Sequence, residues 1–294
     1  MNVIFFGTPE FAIPILEALV KEGHDIIAVI TQPDKPAGRK QKLTPPPVKL
    51  AAQKLGLKIL QPASLKNNND IPTFLRMLEC DLGVVAAYGK IIPQEILYMP
   101  KHSFINIHPS LLPKYRGPSP IQTALLNGIT ETGVTIMLVD EQIDHGPILA
   151  QKPYYLLPTT YYTQAEKELA EIGAKLLVET LPKYIGGEIK PKPQDHSQAT
   201  FTKMFAREDG RINWSEPAEK IYNRIRALNP EPGTWTMWPA SPSQGGKGKI
   251  INIKRTELVD GKLKIQTIQM EGKKEMPFKE FLNGYPDFDI SQLN

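Results

Sequence analysis

Five short apolar runs recur along the first half of the chain: VIFFG (3–7), DIIAVIT (25–31), DLGVVAA (81–87), FINI (104–107) and GVTIMLV (133–139). Nearly continuous runs of this length, rich in β-branched residues and without polar alternation, are strands covered on both faces. Between them lie helical patterns at 9–22, 46–55, 70–79, 93–99 and 118–127, the first opened by Thr8 as an N-cap with Pro9 at the first helical position. Such alternation leaves few options. It predicts an α/β, Rossmann-like domain built on a mainly parallel sheet. Shorter strands are expected at 57–60 and 148–155. A long helix at roughly 162–184 carries Ala165, Leu169, Ile172 and Leu176 on one stripe and is closed by Gly186-Gly187.

The pattern changes after residue 187. KPKPQDHSQA (190–199) is polar and proline-rich without period, as a linker is. Beyond it come one amphipathic helix (215–227, with Ile221, Ile225 and Leu228 inward) and β-type runs at 249–254 and 262–270. The expected organisation is a catalytic domain over 1–187, a linker over 188–205 and a smaller, mostly β domain over 206–294. SPSQGGKGK (241–249) is most simply a hairpin. Trp214, Trp235 and Trp238 are read as core of the small domain. Arg224 and Arg226 cannot share a helix face, so no more than one lines a surface directly.

The chemistry-bearing residues narrow the function by exclusion first. The first strand–helix turn, GTPEFA (7–12), lacks the second and third glycines that let a backbone approach a pyrophosphate, which argues against nicotinamide or flavin binding. Five histidines (24, 102, 108, 145, 196) show no helical metal spacing, and Cys80 is the only cysteine, so neither a metal nor a disulfide is expected. Cys80 reads as a small buried apolar residue. No run reaches the ~18 apolar residues of a membrane span and no leader pattern opens the chain, so a cytoplasmic protein is expected. The net charge is +4, and TQPDKPAGRKQKLTPPPVK (31–49) alone holds five basic residues (Lys35, Arg39, Lys40, Lys42, Lys49) against Asp34. Such a loop suits a polyanionic partner.

Residues i and i+2 of a strand share a face, so Asn106 and His108 present an amide and an imidazole side by side. Behind them LLPKYRGPSP (111–120) is too rich in proline for regular structure. The run GVTIMLV leads into a loop with Asp140, Glu141, Asp144 and His145, closed by Gly146-Pro147. In a parallel sheet ligands gather beyond the carboxyl ends of strands, and there Asn106, His108 and Asp144 can converge. Taken singly, His108 reads equally well as a strand-end histidine satisfied by backbone, and Asp140 and Glu141 as a solvated turn.

IHPSLLPKYRGPSPIQ (107–122) together with ETGVTIMLVDEQIDHGPIL (131–149) resembles the folate-dependent formyltransferases. FFGTPEFAIPILEAL (5–19), the 31–49 loop, VVAAYGKIIP (84–93), DGRINWSEPAEKIYNRIRALNPEPGTW (209–235) and EGKKEMPFKEFLNGY (271–285) narrow the resemblance to the branch that formylates methionine on initiator tRNA. The resemblance implies that 10-formyltetrahydrofolate donates the formyl group, without metal, to the α-amine of initiator methionyl-tRNA, and that Asn106, His108 and Asp144 are catalytic. It implies a folate site along Ser110, Leu111, Leu112 and Pro113, with the pterin in a slot formed by Tyr88, Gly89, Lys90, Ile91 and Ile92 and by the 138–144 loop including Asp140. The tRNA is expected on Lys35, Arg39, Lys40 and Lys42, and the enzyme is expected to be a monomer. The family's small domain is an OB-like barrel. Only about 35 residues separate Trp235 from Glu271 here, so a barrel shortened by one or two strands is expected. Two rivals share these motifs: a formyltransferase acting on a nucleotide-linked amino sugar, and a catalytically silent RNA-binding protein, against which the intact triad argues.

Overall fold

The computed structural model describes residues 1–37, 41–66, 70–238, 248–286 and 288. The chain divides into two units. One comprises Met1–Pro118, Glu131–Tyr155 and Glu166–Phe201; the other comprises Ser119–Thr130, Leu156–Ala165 and Thr202–Asn294. Residues 188–201, which read as linker from composition, thus belong by their contacts to the first unit, and Gln194 within them is buried.

The first unit is ordered as β1 (Asn2–Gly7), α1 (Ile13–Lys21), β2 (Asp25–Ile30), β3 (Lys35–Ala37), β4 (Lys42–Thr44), α2 (Pro47–Lys54), β5 (Ile59–Leu60), α3 (Asp70–Met77), β6 (Leu82–Ala86), α4 (Gln94–Leu97) and β7 (Phe104–His108). After α5 (Pro120–Leu126), which falls in the second unit, come β8 (Glu131–Leu138), β9 (Ile148–Tyr155) and α6 (Tyr162–Ile185). Seven strands form one sheet in the order β5-β2-β1-β6-β7-β8-β9. The five from β5 to β7 are parallel, and β8 and β9 are antiparallel. A parallel return needs a helix laid over the sheet. The seven-residue α5 packs instead with the second unit, so the chain re-enters beside β7 running the other way.

The core of the first unit gathers Ile4, Phe6, Ala28, Ile30, Tyr88, Ile96 and Phe104, all nearly inaccessible. Phe6 meets Tyr88 and Phe104 edge-on at 5.2 and 5.5 Å between centroids. Each such side chain contributes about 1.5–3 kcal/mol through burial. The Thr8 cap expected from sequence is not formed. Thr8 Oγ1 donates to the Tyr88 carbonyl (3.1 Å), and a single 3₁₀ turn at Glu10–Ala12 precedes α1.

Cys80 is buried in this core, and burial pushes its thiol up to about 11. Thiolate is the reactive form, so at pH 8 only about one thiol in a thousand is nucleophilic. Iodoacetamide should leave the native protein unlabelled over hours and label one site rapidly in denaturant, read by intact mass. Fast native labelling would contradict the packing.

The described part of the basic 31–49 segment, residues 31–37 and 41–49, is more ordered than its composition suggests. β3 and β4 pair as a hairpin whose base is pinned to the body: Lys49 Nζ reaches both Asp34 oxygens at 2.8 Å, and Gln61 Nε2 donates to Asp34 Oδ1 and the Gln32 carbonyl, each at 2.8 Å. The Lys49 and Gln61 bonds hold the Asp34 carboxyl below its ordinary value, so this anchor is intact at neutral pH and is lost only as pH falls through that lowered value. Lys35 and Lys42 are exposed, Lys35 donating to Gln32 Oε1 at 2.6 Å. Arg39 and Lys40 lie outside the described residues.

The second unit contains α7 (Ala218–Leu228), β10 (Trp235–Trp238), β11 (Lys249–Val259), β12 (Lys262–Met270), β13 (Met276–Pro277) and α8 (Phe278–Gly284). Among the described residues its four strands form one antiparallel sheet in the order β10-β11-β12-β13. Ile221 and Ile225 of α7 pack with Ile251, Ile253, Ile268 and Phe281, joined by Trp214 and Trp238, and Trp235 is buried as well. Arg226 is also buried, donating to the Thr160 and Leu125 carbonyls, whereas Arg224 pairs with Glu216. Residues 241–247 of the expected hairpin lie outside the described residues. Among the described residues no helix is long and apolar enough to cross a membrane.

Candidate active site

β7 is the last strand of the parallel set, and Asn106 and His108 share one of its faces, Asn106 half-buried and His108 buried. His108 Nε2 lies 2.9 Å from the Tyr115 carbonyl, which can only accept, so this nitrogen carries a proton. His108 Nδ1 faces Asp144 Oδ1 at 3.6 Å, beyond hydrogen-bond length but within ion-pair reach. Asn106 Nδ2 donates to the same Oδ1 at 3.1 Å, and the Gly117 backbone N–H donates to Asp144 Oδ2 at 2.7 Å.

The three residues converge, but not by the route the sequence suggests. Because β8 is antiparallel to β7, its last residue Leu138 sits beside Ile105, away from the end of β7 that His108 occupies. The 139–147 connection to β9 therefore has to fold back along the sheet to deliver Asp144. It does so through a left-handed backbone at Asp144 (φ 49°) and a close crossing at Gly146, where a Cβ would lie 2.0 Å from the Leu138 carbonyl. Tyr115, whose carbonyl holds His108, is also left-handed (φ 60°). Non-glycine residues keep such angles where surrounding bonds over-determine them, and functional sites concentrate them.

The loop after His108 is built by Thr135 and Gln151, a cross-strand pair that sequence reasoning did not single out. Thr135 Oγ1 donates to the Ser110 carbonyl (2.6 Å) and accepts from the Leu112 N–H (3.1 Å). Gln151 Nε2 donates to the Leu112 carbonyl (2.8 Å) and to Thr135 Oγ1 (2.9 Å). The only sequence signal was a polar residue inside the apolar run 133–139.

The residues expected to wall the folate are less uniform. Tyr88 is buried against Phe6 and Ser110 is inaccessible, its hydroxyl bonded to the Lys114 carbonyl (2.7 Å); Leu112 is buried too. Through their side chains these three hold the protein together, and the Tyr88, Ser110 and Leu112 carbonyls are themselves engaged by Thr8, Thr135 and Gln151. Lys90 reaches back to the Ala63 carbonyl at 2.8 Å. Gly89 lies against Gln32, and Ile92 packs on the core. Ile91 is the exception at 80 % exposure. Leu111 and Pro113 are half-buried. Asp140 accepts from the Gln142 N–H (3.0 Å) and pairs with His145 (2.7 Å), whose ring stacks on His196 at 4.0 Å. Among the described residues no group of three or more His, Cys, Asp or Glu gathers as a metal site would.

An amide donor, an imidazole and a carboxylate meeting at a strand end, walled by a proline-stiffened loop, can stabilise an oxyanion and pass a proton. Two family models match the chain: formyl transferase over residues 1–181 and formyl transferase, C-terminal domain, over residues 205–286. The fold agrees with solved structures. HypX from Aquifex aeolicus in complex with tetrahydrofolic acid superposes with a TM-score of 0.67 at 16 % identity, over 97 % of this chain and 47 % of that one. Methionyl-tRNA formyltransferase from Clostridium thermocellum gives 0.58 at 20 % identity, over 92 % and 98 %. At the sequence level, methionyl-tRNA formyltransferase of Chloroflexus aurantiacus is 53 % identical over 258 residues, 88 % of this chain and 83 % of that protein. The chain belongs to the formyl transferase family, and within it to the methionyl-tRNA formyltransferases.

Proposed function

We propose that the protein transfers the formyl group of 10-formyltetrahydrofolate to the α-amino group of methionine esterified to initiator tRNA, supplying the formylated tRNA that starts translation. The observation that carries the mechanism is the shared Asp144 Oδ1, which meets Asn106 Nδ2 at 3.1 Å and His108 Nδ1 at 3.6 Å.

An α-amine titrates at about 7.8, and the electron-withdrawing ester lowers that, so much of the nucleophile is already neutral at cytoplasmic pH. The site needs no strong base. It needs donors where charge develops. The amine nitrogen attacks the formyl carbon, and the carbonyl oxygen becomes an oxyanion between the Asn106 amide and the His108 N–H at Nδ1. The proton lost by the amine reaches N10 as the C–N10 bond breaks, with Asp144 taking it in relay. His108 stays oriented throughout by its second N–H on the Tyr115 carbonyl. The folate lies along 110–113 and 88–92, read through backbone groups where the side chains are buried, with Ile91 offering open apolar surface. No metal takes part, and the enzyme acts as a monomer.

The tRNA acceptor end is assigned to the pinned 31–49 hairpin. Lys49 is committed to Asp34; the phosphates are assigned to the exposed Lys35 and Lys42 and to Arg39 and Lys40, which lie outside the described residues. The strand that feeds this hairpin, β2, runs parallel to β7, so the hairpin and the His108 loop leave the sheet by the same edge. Each neutralised phosphate steepens the salt dependence of affinity by a log–log slope of about 0.7–0.9. Arg39→Ala should raise the tRNA Kd, flatten that slope by about one contact and leave folate affinity unchanged, measured across a salt series. Superimposable lines would remove the hairpin from the interface. Acceptor choice is tested by comparing kcat/KM for charged initiator tRNA with that for a nucleotide-linked amino sugar. A preference for the sugar would overturn the assignment.

A further inference from the structure

Resting on this reading of the site, we propose that Gln194 is a positioning residue for Asp144, with Arg116 as its own support. Gln194 is 5 % exposed and comes from the stretch that composition marks as linker. Its amide nitrogen donates to two backbone carbonyls of the Asp144 loop, those of Asp144 (3.0 Å) and Gly146 (2.7 Å). Its oxygen accepts from Arg116 Nε (3.2 Å) and NH2 (2.6 Å). Arg116 is 3 % exposed, and its NH2 also donates to His196 Nδ1 at 2.8 Å.

The placement of Arg116 gives this bracket its purpose. It stands between Tyr115, whose carbonyl holds His108 Nε2, and Gly117, whose N–H holds Asp144 Oδ2. One buried guanidinium–amide pair thus ties the segment that orients the imidazole to the loop that carries the carboxylate. The Asp144 loop needs such a tie. It arrives from the far end of an antiparallel strand, through a left-handed residue and a glycine crossing, and neither device fixes where the carboxylate points. A misplacement of about 1 Å in such a group can cost about 100-fold in rate.

Gln194→Glu separates positioning from packing. A carboxylate of the same shape keeps, and strengthens, the pairing with Arg116, so residues 190–201 stay docked. It has no N–H for the two loop carbonyls and sets oxygen against oxygen there. The expected result is a kcat lower by about 10–100-fold, with KM for both substrates within about threefold and Tm within a few degrees. In an Asp144→Asn background the same substitution should change the single-turnover rate by less than about threefold, because groups acting as one unit are not additive. Gln194→Met, which also lacks the donor, should repeat the kcat loss if the glutamate variant folds poorly. Hydrogen exchange at the Gly117 amide should accelerate at least about tenfold in either variant, a readout that needs no substrate and stands even if the acceptor has been misassigned. Unchanged Gly117 exchange, or a rate loss that multiplies in full on Asp144→Asn, would overturn the proposal.

Discussion

Replacing His108 by alanine should slow the chemical step by about 10²–10³-fold, the usual cost of losing one donor to a developing oxyanion. The ring is buried and held at Nε2 by the Tyr115 carbonyl, so it is presented in one orientation with Nδ1 toward Asp144. Alanine removes the donor and leaves that carbonyl without its partner, which costs about 1–2 kcal/mol of stability and a fall of several degrees in Tm. Folate affinity should hold within about threefold, since the walls proposed for it at 88–92 and 110–113 are fixed by other residues: Gln32 and the core for the first, Thr135 and Gln151 for the second. Rapid-quench measurement under saturating substrates separates the chemical step from binding. A loss below tenfold would remove His108 from the reaction.

Asp144→Asn should cost about 10²-fold in kcat with little change in KM. The substitution keeps size, and asparagine tolerates the left-handed backbone at this position at least as well as aspartate, so the loop backbone is not strained. What it removes is charge and one acceptor. The carboxylate now accepts from Asn106 through Oδ1 and from the Gly117 N–H through Oδ2. An asparagine amide must turn an NH2 toward one of these donors, leaving a donor facing a donor. Combining it with His108→Ala should add little beyond the larger single effect, because the carboxylate works through the imidazole it faces. Losses that multiplied in full would mean the two residues act independently.

The strands and most helices were legible in the sequence because continuous apolar runs and 3.6-residue stripes are local signals. The limits of β9 and β12 follow directly from their patterns. Direction was not legible. Whether β8 runs with or against β7 depends on whether the intervening helix covers the sheet, and α5 does not announce in its own residues that it packs elsewhere. The convergence of Asn106, His108 and Asp144 was expected for a partly mistaken reason: Asn106 and His108 share a face as their spacing requires, whereas Asp144 joins them by a fold-back that a parallel sheet would not need. The support shell was hidden for another reason. Gln194, Thr135 and Gln151 are ordinary polar residues whose partners lie 16 to 78 residues away, and no period encodes such a pairing. The weak local signals of the second unit failed likewise: the four residues of β10 and the seven of α8 gain their structure from the tryptophan and isoleucine core around them.

The most direct measurement follows the formyl carbon itself. Purified protein in molar excess over 10-formyltetrahydrofolate labelled at that carbon is mixed with initiator tRNA charged with methionine, and the products are resolved after a single turnover. The expected result is stoichiometric recovery of label as an amide on tRNA-linked methionine, with none on uncharged tRNA or free methionine. Label remaining on the folate or released as formate, with no amide formed, would contradict the assigned reaction.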